Sequence, residues 1–224
     1  MLKKIFVFIL ILLSLASCDK KIDQLEFEKQ VAYEIFPQLL DSLHEDTRLN
    51  IAPIISKYKK VDTLSGEWFF DKEKVLEEIE RRKQILYKDS VKLITAISDS
   101  TYLLKKRNAS LLLKHFNSNR LTPDTTNLDF KYQIDLDKLK ADEKIDFKYA
   151  SNFPRFREFW TTDYDFYMNA IFSMSRIRFD SSFSYGVLKC GYGTGYLNSG
   201  GYRVYIKKVQ GRWIIDEMDL ISRS

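Results

Sequence analysis

The sequence predicts an α+β fold in which N-terminal amphipathic helices pack with a C-terminal antiparallel β-meander, and three observations carry that prediction. Apolar residues recur at helical spacing between residues 23 and 90. After residue 91 the period shortens to the two-residue alternation of strands. Short Gly-containing or polar turns then separate the alternating runs near the C-terminus, the pattern of antiparallel hairpins.

The first helix is expected from about Asp23 to Glu45, because Phe27, Val31, Ile35, Leu39 and Leu43 follow one another at four-residue steps. Such spacing places them on one stripe of a helix. Pro37 lies inside this run and is expected to bend or divide the helix, since proline lacks a backbone donor and crowds the preceding turn. Residues 46–70 show no sustained period and read as a long surface connection. A second helix is expected from Asp71 to about Lys88, with Val75, Leu76, Ile79, Ile85 and Leu86 as its apolar positions, and the two helices suit a hairpin.

In the second half, "VKLITAI" at 91–97 is short, β-branched and bounded by polar residues, as a buried strand would be. "SLLLKHF" at 110–116 reads as a short helix or turn, and "FKYQIDL" at 130–136 and "KIDFKY" at 144–149 both alternate as strands do. Four further strands complete the meander. The first places Ile171, Ser173, Ser175, Ile177 and Phe179 on one face; "FSYGVLKCGY" follows. "GYRVYIKKV" points Tyr202, Val204 and Ile206 inward with Arg203, Tyr205 and Lys207 outward, and Gln210-Gly211 turns it into "RWIIDEMDLI".

The N-terminus carries an address. Lys3 and Lys4 precede nine apolar residues, Ile5 to Leu13, and then the small residues Ser14, Ala16 and Ser17 lead to Cys18. Charged, apolar and small-residue regions in that order make a secretory signal. The apolar stretch is shorter than the roughly 20 residues that span a bilayer. Leu15-Ala16-Ser17-Cys18 resembles the lipobox of bacterial lipoproteins. The resemblance implies cleavage between Ser17 and Cys18, lipidation of the Cys18 thiol and a chain held on a membrane of the bacterial cell envelope. Residues 1–17 are then the signal peptide, 18–22 the lipidated tether, and 23–224 one α+β domain, helical over 23–90 and mostly β over 91–224. The order "SRIRFD", "GVLKCGYGTG", "GYRVYIKKVQGRWII" is similar in style to uncharacterised secreted lipoproteins of bacteria, a likeness that brings no further functional residue.

Composition narrows the function. Without residues 1–17, which hold Lys3 and Lys4 and no acid, the net charge drops from +5 to +3. Basic and acidic residues alternate, as in "DKEKVLEEIERRKQ", so no nucleic-acid footprint is present. Cys190 is the remaining thiol once Cys18 is lipidated, which leaves no intrachain disulfide; it reads as a small buried hydrophobe in a strand, with an intermolecular bridge as the alternative. His44 and His115 are too far apart in sequence to suggest the three or four converging ligands of a zinc site, and both read as helix-surface histidines. No metal or cofactor is expected. "GYGTGY" at 191–196 departs from both the dinucleotide and the P-loop patterns, so its glycines suit a turn or bulge. No G-x-S-x-G elbow occurs, and acid pairs such as Asp163 with Asp165 or Asp216 with Glu217 are ordinary in a chain with 31 acids.

The segment 149–167 holds eight aromatic residues in nineteen, interleaved with Arg155, Arg157, Asp163 and Asp165. Rings flanked by polar groups are what sugars and peptides commonly meet. Phe159, Trp160, Tyr164 and Tyr167 are the candidate binding surface; in the plainer reading Phe153, Phe156, Phe159 and Trp160 cover the open face of the sheet and Tyr164 and Tyr167 stay exposed. The expected function is a noncatalytic binding or interaction module for a protein or glycan, with an envelope hydrolase, or an inhibitor of a wall-active enzyme, as the alternative.

Overall fold

A computed structural model describes residues 23–49, 51–105, 107–117 and 130–224. The expected signal peptide (1–17) and tether (18–22), with Ser17 and Cys18, lie outside the described residues. The described chain is a mixed α/β structure with five α-helices and a mostly antiparallel sheet of seven strands.

Helix α1 spans Gln24–Leu43. It begins where Asp23 accepts hydrogen bonds from the Leu25 and Glu26 amides, which satisfies donors that a helix start leaves without partners. Val31, Ile35, Phe36, Leu39 and Leu40 form its buried stripe. Pro37 stands inside the helix without ending it. Helix α2 (Ile51–Lys57), strands β1 (Lys59–Val61) and β2 (Trp68–Phe70), which pair as an antiparallel hairpin, and helix α3 (Lys72–Lys88) follow. Residues 46–70 are therefore not a plain connection. α3 packs on α2 through a region where Ile54 and Val75 are buried, while α1 gives its apolar face to the main sheet. That division replaces the expected hairpin of two long helices, and it leaves Leu76 and Ile85 of α3 exposed.

The main sheet is built from β3 (Leu93–Ile97), β4 (Ile145–Tyr149), β5 (Tyr167–Met174), β6 (Arg178–Phe179), β7 (Tyr185–Gly195), β8 (Asn198–Val209) and β9 (Arg212–Arg223), with helices α4 (Arg107–His115) and α5 (Arg157–Thr161) between strands. Its order is β4-β3-β5-β7-β8-β9, with β6 also on β7. β5, β7, β8 and β9 form an antiparallel meander. Beyond the meander, β3 runs parallel to both β4 and β5, because the chain crosses over between them instead of turning back. β3 is buried at every position, as a strand covered on both faces must be.

Three further expectations are corrected. Residues 130–136 form no strand; one isolated bridge, Ser100 to Gln133, precedes a 3₁₀ turn at Leu136–Lys138. The run through 171–179 is not one strand with one face, since Ala170, Phe172 and Met174 are buried in its first part and Ile177 and Phe179 in its second. The parity changes at Ser175-Arg176, where Arg176 turns inward to Glu28. Tyr205 is buried instead of outward-facing, because α4 covers that face and lays the His115 ring on it at 3.8 Å between centroids. The glycines of 191–195 do lie at an irregularity, a register shift between Gly193 and Gly195 where β7 pairs with β8.

Candidate functional site

The parallel strands β3 and β4 end side by side at Ile97 and Tyr149. A cavity of about 730 Å³ opens just beyond those ends, lined by Ser98, Asp99, Ser100 and Ser151 on one side and by Phe153 to Phe156, Phe159 and Trp160 on the other. Carboxyl ends of parallel strands are where α/β sheets leave a crevice, since the chain departs there into loops.

Each wall has a local cause. Asp99 is held by Ser151, whose amide and hydroxyl donate to its two carboxylate oxygens at 3.0 and 2.6 Å. Phe153 precedes Pro154, which keeps it extended, with φ −123° and ψ 157°. Phe156 then adopts φ 57° and ψ −129°, a conformation that belongs to glycine at the first central position of a type II′ turn. The consequence is a ring that is 86% exposed on a backbone that other residue types would adopt more cheaply.

Beneath it the rings brace one another. Phe153 meets Phe159 and Tyr164 edge-on at 5.7 and 5.5 Å, and Phe159 meets Trp160 at 4.7 Å. The Tyr164 hydroxyl donates to the Phe159 carbonyl, and its ring stacks on Phe166. Arg155 is exposed at the rim, with no ion pair among the described residues. The result is an aromatic shelf with hydroxyls, an engaged carboxylate and a guanidinium around it.

The candidate residues read from sequence divide accordingly. Phe159 is buried as the support of the shelf, and Trp160 is partly exposed as its wall. Tyr164 braces the shelf from behind. Tyr167 lies elsewhere, on β5, with its hydroxyl 2.9 Å from Thr47 Oγ1 and the Arg48 guanidinium over its ring. Phe156 and Phe153, which the plainer reading places over the sheet, are the residues that give the shelf its exposed ring and its brace. The Pro154 before them was the available signal.

A second cleft, of about 840 Å³, lies between the C-terminal ends of α1 and α3 and the starts of β3 and β4. His44 enters it from the end of α1, its Nδ1 3.2 Å from the Tyr192 hydroxyl, and burial lowers the imidazole pKa against the pull of Asp46, Asp142, Asp41 and Glu45. Burial alone would raise Asp46, but hydrogen bonds and charge from Arg48 bring its pKa below the usual carboxylate range. Arg48 also reaches Asp89 at 2.7 Å, and Lys144 meets Asp89 from the other side. His44 is thus a half-buried cap, not a surface histidine. His115 is not a plain surface residue either, with Nε2 2.7 Å from Asp216 and Nδ1 3.3 Å from Glu217. Among the described residues no group of three or more His, Cys, Asp or Glu side chains could hold a metal ion.

No family model, no curated protein and no solved structure matches this chain.

Proposed function

We propose that the protein is a noncatalytic binding module of the bacterial cell envelope, tethered through a lipid on Cys18, that takes a protein or glycan partner on the aromatic shelf beyond β3 and β4. In this reading the N-terminal amphipathic helices and the C-terminal antiparallel meander form one body that holds the shelf rigid. The observation that carries it is Phe156, an almost fully exposed ring beside Trp160 and Arg155, kept at a strained backbone conformation. Strain held at an exposed ring is a sign that the ring's position is used.

The carboxylates favour binding over hydrolysis. A general acid needs a pKa raised toward neutrality. Asp46 in the larger cleft is shifted the other way, and Asp99 at the shelf has both oxygens occupied by Ser151.

The test is capture of partners from detergent-solubilised envelope with the native lipidated chain and with Phe156→Gly/Trp160→Ala. Phe156→Gly removes the ring while relieving the backbone, so the fold survives. Loss of two anchors of this kind is expected to weaken capture by about thirtyfold or more, the equivalent of about 2 kcal/mol. Equal recovery of the same material by both chains would rule the shelf out.

A further inference from the structure

The hairpin β1–β2 leaves its apolar side chains in water on both faces. Val61 and Trp68 are cross-strand partners on one face and are 60% and 61% exposed; Phe69 lies opposite Lys60 on the other and is 51% exposed. Leu64 at the tip is 99% exposed. The turn that carries it is well made: Asp62 accepts from the Leu64 and Ser65 amides, and Gly66 takes the left-handed φ of 70° that glycine tolerates. A well-made turn that presents a bare leucine is a finger of stated shape, not a frayed loop.

Shape and charge together indicate what surrounds it. A protein groove covers one face of a strand pair, whereas this finger is apolar on both faces and at its tip, which suits a medium that closes around it. The cations sit at its base. The Lys59 ammonium lies 4.9 Å over the Trp68 ring and that of Lys57 5.1 Å over the Tyr58 ring; neither forms a contact ion pair among the described residues, although Lys57 is near enough to Glu78 to help lower its pKa. Lys60 faces Asp71 at 3.6 Å, and the finger's own carboxylates, Asp62 and Glu67, have no cation among the described residues, Asp62 being engaged by the turn amides. Ammonium groups stacked on interfacial aromatics, with leucine and phenylalanine beyond them, complement a layer of phosphates over acyl chains.

We propose that residues 57–70 form a membrane-contacting finger: Leu64, Val61, Trp68 and Phe69 enter the boundary between headgroups and acyl chains of a phospholipid bilayer, and Lys57 and Lys59 meet the lipid phosphates. The proposal rests on the envelope-tethered reading above, because it is the lipid on Cys18 that keeps the finger near a bilayer. It adds a second point of contact, which fixes the orientation of the body where a single point of attachment would leave it free.

The experiment labels Leu64→Cys with an environment-sensitive dye in the lipidated chain, on vesicles of phosphatidylethanolamine and phosphatidylglycerol. Cys190 stays silent because it is buried and its thiol is pushed up to about 12. The expected result is a blue shift of the dye and its quenching by brominated acyl chains. Lys57→Gln/Lys59→Gln is expected to reduce partitioning of the finger by about fivefold per lysine on these anionic vesicles. A dye that remains water-like on vesicle-bound protein overturns the proposal and assigns the finger to a protein cleft, the geometry an inhibitor of a wall-active enzyme would use. Mass spectrometry of the same sample separates the two readings: an unmodified Cys18 defeats the tether, and the finger is then judged by whether added vesicles shift the dye.

Discussion

His44 shows how one side chain can carry a pH dependence into the fold. An exposed histidine titrates near 6.5, and burial beside Tyr192 lowers the value in the folded chain. The unfolded chain therefore binds a proton first as pH falls, and the stability that neutral His44 contributes is present above about 6.5 and lost below it. The urea midpoint is expected to fall between about pH 7 and pH 5, and to fall less in His44→Asn. An equal fall in both would show that His44 is not the group responsible. The residue scale is also where sequence reading is weakest. Nothing near His44 or His115 in the chain marks its partners, and only folding brings Tyr192 to one and Tyr205, Asp216 and Glu217 to the other.

At the scale of elements, α1 does two jobs. Its stripe fills the core, with Phe36 edge-on to Phe147 and Phe172, and its flank closes the start of an open sheet edge. β9 pairs only with β8, and an edge strand exposes unpaired amides and carbonyls. Glu34 accepts from the Trp213 amide, and Gln38 both accepts from the Ile215 amide and donates to the Trp213 carbonyl. Gln38→Leu leaves two main-chain groups without partners and is expected to cost about 1 to 3 kcal/mol. Hydrogen exchange at Ile215 should quicken in that variant, and unchanged exchange would show that water replaces the glutamine. The existence of α1 and the meander was legible because each buries one face at its own period, and that of α3 because its apolar residues recur at helical spacing, although Val75 is the one of them that is buried. The small elements α2, β1 and β2 were not, since an exposed hairpin has no buried face to leave a pattern.

At the scale of the whole molecule, one ion pair joins the first turns of α1 to the corner between β5 and β6. Glu28 holds Arg176 with two contacts of 2.7 Å, also accepts from the Ile177 amide, and both side chains are 1% exposed. The rings of Phe130 and Tyr132 lie beside the guanidinium. Glu28→Gln leaves a buried cation uncompensated and is expected to cost about 3 to 5 kcal/mol in chemical denaturation. Replacing both residues, as Glu28→Leu with Arg176→Met, is expected to recover much of that loss; no recovery would mean that the pair itself, not the stranded charge, stabilises the fold. Nothing in the chain marks Glu28 as buried, because it lies beside a helical stripe among other acids. By itself the sequence determined α1, α3, the strands of the meander and the lipobox expectation, all of which depend on residues near one another in the chain. Tertiary structure alone decided the parallel course of β3, the burial of Glu28 with Arg176, the aromatic shelf and the exposed finger. The first three depend on groups that are distant in sequence and meet only when the chain crosses over, whereas the finger is a local hairpin whose exposure leaves no buried face to pattern the sequence.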